Sequence, residues 1–159
     1  MSLDFTVAER LRFLIRVVNK ESKHLKTTDE RLFAVPFTAK TAARLDADPD
    51  LAERVEAFAS RYGRLQDTLG DKLLPLLLRA LGEKTGAAID NLDRAERLGL
   101  LNSADEWMTM RKVRNLMVHE YIEDLDVLTS ALQTGHAFVP VLLATANAVV
   151  AEAEQRGWV

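Results

Sequence analysis

The side chains of this chain that are best suited to chemistry lie between positions 111 and 121. Arg111, Lys112 and Arg114 form a compact positive patch that suits a phosphate group. Asn115 and His119 are four positions apart, so they can hydrogen-bond to each other on one face of a helix. Histidine titrates nearest neutral pH among the ordinary side chains. The segment therefore predicts a phosphate site with a histidine beside it.

Several other kinds of site are excluded or not expected. The chain has no cysteine, which excludes disulfides, thiolate metal sites and cysteine nucleophiles. Its three histidines lie far apart, so we expect no metal site, and no glycine-rich nucleotide motif calls for a cofactor. We interpret His24 as a structural residue near the end of the first helix, and His136 as a packed residue of the last helix.

The spacing of apolar residues predicts helices in the first part of the chain. Thr6 and Glu9 have the spacing of a capping box, which predicts the start of the first helix at Thr6. Its apolar stripe fades near Lys26. Residues 32–37 fit either a short extended piece or a packed loop, and residues 38–45 a short helix.

The remaining helices have clear start and stop signals. Asp48 followed by Pro49 predicts the start of a long helix, which Pro75 should kink or divide. A third helix is predicted at residues 86–98, and Gly99 followed by Leu100 should end it. The fourth helix is predicted to run from the capping box of Ser103 and Glu106 to Tyr121. The fifth is predicted from Asp124 to Gln155, and Pro140 should bend it. Its expected inward residues are Leu125, Leu128, Leu132, Val139, Leu142 and Val149.

These patterns together predict the architecture. With short loops and no strand signal, the expected fold is all-α: an antiparallel up-and-down bundle of four long helices plus short extras. A length of 159 residues, without a linker or an internal repeat, suggests one domain over residues 1–159.

The composition also predicts a compartment. We find no signal peptide, no uncharged stretch of the roughly 18 residues that would span a bilayer, and no cysteine, so we expect a cytoplasmic protein that does not enter a membrane. The net charge is −3, and a protein that binds nucleic acid through its overall charge would be basic. Any contact with nucleic acid should therefore use a local patch.

The fourth predicted helix has an unusual distribution of apolar residues. On a helical wheel Arg114 lies at the centre of a stripe formed by Trp107, Met110, Met117, Val118 and Tyr121. Leu116 and Val113 lie on other sides, so the helix is apolar nearly all round, as an enclosed helix would be. We therefore predict a two-fold homodimer with this helix at its interface. In the simpler alternative, Arg114 pairs with Asp67 or Asp71 and His119 caps the helix end.

The segment resembles the HEPN family (higher eukaryotes and prokaryotes nucleotide-binding). Arg114 is followed by the polar Asn115, and His119 comes after four intervening residues, with Tyr121 completing an Arg-x4-His-x-Tyr pattern. This longer form is similar to HEPN toxins that are paired with minimal nucleotidyltransferase antitoxins. Trp107, Arg111 and the upstream Arg64-Leu65-Gln66-Asp67-x-x-Gly70 also look like this group. The resemblance covers residues 55–145, whereas residues 1–48 form a helix and extension without an assigned role.

The resemblance implies a function and partners. It implies metal-independent cleavage of RNA to a 2′,3′-cyclic phosphate and a 5′-hydroxyl, with Arg114 on the phosphate, His119 as acid or base and Asn115 orienting one of them. It also implies a toxin–antitoxin pair in which a nucleotidyltransferase adds AMP to Tyr121. Two alternatives stay open, a non-catalytic nucleotide-binding or substrate-binding subunit of a nucleotidyltransferase and a purely structural dimer.

Overall fold

Helices provide all the regular secondary structure in residues 3–119 and 123–159, the parts of the chain that the computed structural model describes. No strand occurs within those two ranges, so the predicted all-α class is confirmed. The helices are α1 (Phe5–Leu32), α2 (Ala39–Ala42), α3 (Pro49–Asp67), a π-helical turn (Thr68–Leu73), α4 (Leu74–Ala80), α5 (Ala88–Arg97), α6 (Ala104–His119) and α7 (Leu125–Gln155).

Helix α1 differs from its prediction at both ends. Its N-cap is Asp4, whose carboxylate accepts from the backbone N–H groups of Thr6 and Val7, so the predicted capping box at Thr6 was wrong. The helix also continues to Leu32, because Leu25 and Leu32 extend its buried stripe beyond the predicted end. His24 therefore lies well inside the helix and not near its end.

The start of α3 and the end of α5 follow their local signals. Asp48 caps α3 by accepting from the N–H of Leu51, with Pro49 in the first turn, as predicted. After α5, Gly99 has a φ of 77°, and the N–H of Leu100 donates to the carbonyl of Ala95. This is the expected glycine-based helix end, in which a left-handed residue allows the last carbonyls to be satisfied.

The predicted helix is divided near Pro75, and a π-helical turn lies between its two α-helical parts. The chain passes from α3 through one π-helical turn, in which the N–H of Leu74 donates to the carbonyl of Leu69, and then directly into α4. Proline has no N–H to donate, and its ring would collide with the carbonyl four residues before it. A wider turn just before the proline accommodates that ring, and π-turns of this kind often lie at functional sites.

A single cluster of buried apolar side chains includes residues from every α-helix. Helix α3 packs on α1 on one side and on α6 on another, while α7 contacts α1, α2, α3, α4 and α6. The first residues of α7 differ from the prediction, because Leu125 is exposed while Leu128 and Leu132 are buried. Helices α3 and α7 thus both contact the N-terminal helix and the helix with the candidate site.

Helix α7 is long and apolar enough to cross a membrane by length and composition alone. The expectation that no uncharged stretch reaches the span of a bilayer was wrong, because residues 127–151 contain no Asp, Glu, Lys or Arg. A core helix of a soluble protein has the same composition. Twelve of the 31 residues of α7 are buried, among them Val139, Leu142 and Val149, so one side of this helix packs in the core.

His136 on α7 is not the packed residue that its apolar neighbours suggested. Its side chain is exposed, its Nδ1 lies 2.6 Å from Oδ1 of Asp29, and its ring stacks on Phe33 at 4.2 Å between centroids. Burial raises the pKa of the Asp29 carboxyl despite this histidine. His136 therefore links α7 to the end of α1.

Candidate functional site

Two glycines of the α3 segment allow α6 to lie close against it. A Cβ atom added at Gly63 would lie 2.6 Å from Nε of Arg114, and one added at Gly70 would lie 3.0 Å from the ring of Trp107. Real Cβ atoms essentially never approach other atoms below 3.0 Å, so the Arg114 side chain needs the space at Gly63. The chain therefore places its largest α6 side chains across positions of α3 that have no side chain.

Buried hydrogen bonds fix α6 along α3. The Tyr62 hydroxyl donates to the carbonyl of Met110, and the Gln66 amide donates to the carbonyl of Trp107, both at 3.1 Å. Burial raises the pKa of the Tyr62 hydroxyl, which keeps it protonated as a donor. Because both acceptors are backbone atoms, these bonds set the position of α6 itself and not only of its side chains.

Two ion pairs continue the same contact toward solvent. Nη1 of Arg114 lies 2.5 Å from Oδ1 of Asp67, and Nη2 of Arg111 donates to both oxygens of Asp71 at 2.9 and 2.8 Å. The simpler alternative considered for Arg114 is thus present, with Asp67 as its partner. All four side chains are partly exposed, so each pair contributes modestly to stability. Two of the three cations in the predicted positive patch are therefore neutralised locally.

Arg114 and His119 nevertheless line one cleft. Five residues apart, they would point about 140° apart on an ideal helix. In the structure both lie on the wall of a cleft of about 560 Å³ between the last described turns of α6 and residues 55–64 of α3. The cleft is open to solvent, and both side chains form part of its wall beside the last described turn of α6.

The other predicted site residues are not on the wall of this cleft. Asn115 is exposed, and among the described residues its side chain makes no hydrogen bond. Lys112 is also exposed, and Arg111 is held by Asp71. Tyr121, the predicted modification site, lies outside the described residues. The structure therefore brings together Arg114 and His119 alone from the predicted set.

Two apolar residues at the end of α6 are exposed. Val118, predicted in the central apolar stripe, is 51% exposed because it lines the open cleft, and Leu116 is 40% exposed on another side. Trp107, Met110 and Met117 are buried as predicted. The end of α6 is therefore not enclosed within a single chain, in contrast to its first turns.

Helix α3 supplies a polar wall of the cleft that sequence reasoning did not identify as a site. Glu56, Ser60 and Arg64 lie four residues apart, which places them on one helix face, and all three line the cleft. Within residues 3–119 and 123–159 Arg64 makes no ion pair and no hydrogen bond. Arg64 thus offers a positive charge to a ligand, while Glu56 opposes an anion on the same wall. The four-residue spacing was the signal that could have revealed this row.

The described residues contain no group of three or more His, Asp or Glu side chains that could hold a metal ion. The cleft offers instead one guanidinium held by a carboxylate, a second guanidinium without a partner in the described chain, and an exposed imidazole. These are groups that bind a phosphate and move a proton. No known family, curated protein or solved structure matches this chain.

Proposed function

We propose that this chain is a HEPN-type toxin that acts as a metal-independent endoribonuclease. The observation that supports this proposal best is the presence of Arg114 and His119, separated by four residues in the sequence, on the wall of one solvent-open cleft. A phosphodiester in the cleft could contact both side chains at once. Arg64 on the opposite helix adds a second cation for the same phosphate or for the next one.

The proposed reaction uses only these side chains and the RNA. The ribose 2′-oxygen attacks the adjacent phosphorus, the bond to the 5′-oxygen breaks, and a 2′,3′-cyclic phosphate and a 5′-hydroxyl form. One His119 takes the 2′-hydroxyl proton, and the leaving 5′-oxygen receives a proton either from the same imidazolium or from His119 of the second copy in the proposed dimer. Arg114 has five N–H donors, so it can stay on Asp67 and still stabilise the charge that develops on the phosphate. Asn115 makes no hydrogen bond to His119 within the described chain, so its proposed role is to orient the histidine or the phosphate once RNA is bound, while Arg111 and Lys112 would contact flanking RNA.

The proposal includes an assembly. The helices form an antiparallel up-and-down bundle, and two copies pair about a two-fold axis through the exposed end of α6. Such a dimer would cover Leu116 and Val118, which are large apolar side chains on the surface of one chain. It would also bring two sets of Arg114, Asn115 and His119 into one larger cleft. Light scattering should give twice the mass of one chain at micromolar concentration, and the mass of one chain would contradict the dimer.

The activity is tested by incubating a mixed RNA pool with the protein in the presence of EDTA. We expect cleavage that survives EDTA, and a loss of about 10²–10³-fold in rate in Arg114→Ala and in His119→Ala, because each removes a group that acts in the transition state. Arg94→Ala is a matched control, since Arg94 on α5 forms an ion pair with Glu83 that is similarly exposed. His136→Ala is the control for the histidine. Intact RNA after incubation with clean wild-type protein would reject the ribonuclease.

A second function is favoured by the size of the cleft. Its volume of about 560 Å³ is within the range of small-molecule sites, and Asp67 already occupies one nitrogen of Arg114. The chain would then be a non-catalytic subunit that presents a nucleotide or another substrate to a nucleotidyltransferase. Calorimetric binding of a nucleotide that is lost in Arg114→Ala, together with intact RNA, would favour this function. If the protein neither binds a nucleotide nor cleaves RNA, the purely structural dimer is the alternative that remains.

We propose that the toxin acts in the cytoplasm and that a nucleotidyltransferase antitoxin controls it there. This partner would add AMP to Tyr121, and the new phosphodiester would compete with RNA for Arg114. Co-expression of the two proteins should give an intact mass increased by one AMP, mapped to Tyr121 and absent in Tyr121→Phe. An unmodified mass with full neutralisation of toxicity would show that the partner acts by binding alone.

A further inference from the structure

The middle of α1 has an excess of positive charge in this acidic protein. Residues 10–26 contain six Lys and Arg residues and one Glu, whereas the whole chain has a net charge of −3. Arg16, Lys20 and His24 are spaced four residues apart and are all exposed, so they form one row on the outer face of the helix. This row covers about 12 Å along the helix axis. It is therefore long enough to face more than one phosphate of a nucleic acid.

An aromatic side chain lies at the start of this row. Phe13 is 45% exposed, and the guanidinium groups of Arg10 and Arg16 lie 5.3 and 6.0 Å from its ring centroid. These cation–π contacts hold both arginines near the ring while leaving it accessible. Exposed aromatic rings beside cations are the means by which proteins stack the bases of single-stranded nucleic acid.

A second cleft connects the α1 row to the candidate site. It has a volume of about 210 Å³ and is lined by Glu21, His24, Arg61 and Arg64. Arg61 is fixed there, because its Nη1 donates to the carbonyl of His24 at 3.3 Å and to the Thr28 hydroxyl. Arg64 lines this cleft and also the cleft of Arg114 and His119. The two clefts therefore share a cationic wall.

One acidic side chain in the second cleft opposes an anion. The Oε1 atom of Glu21 is buried without a hydrogen-bond partner among the described residues. Burial raises the pKa of this carboxyl despite Thr68 and Arg64, so its negative charge is disfavoured. The cations of this cleft thus outweigh its single acid.

We infer that the outer face of α1, at Arg16, Lys20 and His24, is a track for the backbone of single-stranded RNA that continues across Arg64 into the candidate cleft. The inference rests on the proposed function for the class of ligand. It gives the N-terminal extension a role in holding RNA on one side of the scissile phosphate. The apolar stripe of α1 is committed to the core at Leu11, Leu14 and Val18, which leaves Phe5 and Phe13 as the large apolar side chains that this helix exposes, so vesicle binding is measured beside RNA binding.

The test measures binding separately from cleavage. The probe is a fluorescent 2′-O-methyl oligouridine of about twelve nucleotides, a length within the range of single-strand sites, which lacks the attacking hydroxyl. The variant is Arg16→Glu/Lys20→Glu, and the matched control is Lys40→Glu/Arg44→Glu, which has the same spacing and charge change on exposed residues at α2. We expect at least tenfold weaker binding for the α1 variant and little change for the control. For the α1 variant, the slope of log binding constant against log salt concentration should become shallower by about 1.4, because each of the two lost phosphate contacts accounts for about 0.7.

The outcomes separate this inference from the proposed function. Equal weakening in both double variants would overturn the inference, because overall charge would then explain binding. The inference would also be overturned if the α1 variant lost binding to phosphatidylserine vesicles while its RNA binding stayed unchanged. Cleavage of a dinucleotide by the wild-type protein reports on the candidate cleft alone. If the wild type binds the oligomer through α1 but cleaves nothing, the track stands and the ribonuclease fails.

Discussion

Helix α3 has two sides that differ in how their polar groups are satisfied. On the side facing α6, Tyr62 and Gln66 donate to backbone carbonyls, and Asp67 pairs with Arg114, while Oε1 of Gln66 is buried without a partner among the described residues. On the side facing α1 and the open clefts, Arg64 has no partner in the described chain, and Oε1 of the neighbouring Glu21 is buried without one. Both sides hold α3 to a neighbouring helix, since Arg61 donates to the carbonyl of His24 on α1, but only the second side leaves a guanidinium, that of Arg64, available to a ligand.

This difference suggests which substitutions should affect folding and which should affect binding. Each buried polar group that is paired stabilises one arrangement of the helices, since breaking the pair leaves a desolvated group behind. Exposed charges contribute little to stability and can be used for recognition. Arg114 belongs to both sides, because it pairs with Asp67 and also lines the cleft.

The largest expected effect concerns Trp107, which packs against α3 at Gly70. Trp107→Ala should lower the free energy of unfolding by about 3–5 kcal/mol, because it removes a buried aromatic side chain and leaves a cavity. Arg64→Ala, on the other side of α3, should change it by no more than about 0.5 kcal/mol. Urea unfolding followed by circular dichroism measures both values. Similar losses in the two variants would erase the proposed difference between the sides.

A second prediction concerns Gly63, where the Arg114 side chain crosses α3. In the wild-type background, Gly63→Ala should force Arg114 away from Asp67, because the new Cβ would lie 2.6 Å from Nε. In an Arg114→Ala background the same change should instead stabilise the helix by about 0.5–1 kcal/mol, the usual advantage of alanine over glycine. A double-mutant cycle of unfolding free energies should therefore give a coupling of about 1 kcal/mol or more.

Additive effects in this cycle would contradict the close approach of the two helices. A change in cleavage rate in Gly63→Ala, without loss of stability, would show that the position of Arg114 matters for activity more than for folding. This outcome would place Arg114 with the ligand-binding side of α3.

The third prediction is smaller and concerns one hydroxyl group. Tyr62→Phe keeps the buried ring but removes the donor to the Met110 carbonyl, and it should cost about 0.5–1.5 kcal/mol of unfolding free energy. Ser60→Ala is the control, because it removes a hydroxyl from the same helix on the side of the open cleft. We expect almost no change for that variant. A larger loss in Ser60→Ala than in Tyr62→Phe would reverse the assignment of the two sides.

Sequence reasoning identified the helices with strong local signals. Asp48 and Pro49, Gly99 and Leu100, and Asp124 each act through contacts within a few residues, so the sequence alone determines them. At the first helix the same reasoning chose Thr6, because its capping-box spacing matched, whereas the carboxylate of Asp4 makes the actual cap. Two cap patterns two residues apart compete for one helix end, and spacing does not rank them.

The candidate site was predicted only in part because half of it comes from another helix. Arg114 and His119 were recognisable from their spacing, but the row of Glu56, Ser60 and Arg64 becomes a wall only when α3 packs against α6. Val118 was assigned to the core by the helical wheel, which gives the direction of a side chain but not where the neighbouring helix ends. Tertiary packing decides both points.

The smallest expected effect tests the ligand-facing side of α3 through Glu21. The pKa of this carboxyl is raised above its ordinary value of 4.5, mainly by burial, so the folded state binds the proton more tightly than the unfolded state does. The free energy of unfolding therefore falls as the pH rises from 4.5 through the folded-state pKa, and the penalty is fully present above it.

Glu21→Gln should remove this penalty and stabilise the protein at neutral pH by less than about 1 kcal/mol, since the partly exposed group is screened by water. The advantage should vanish in acid, where both states of the wild type are protonated, and Glu9→Gln at an exposed position of α1 should show little change at either pH. If Glu21→Gln instead destabilises the protein at neutral pH, the carboxylate is held by Arg64 and Lys72 in solution, and the two sides of α3 would be satisfied alike.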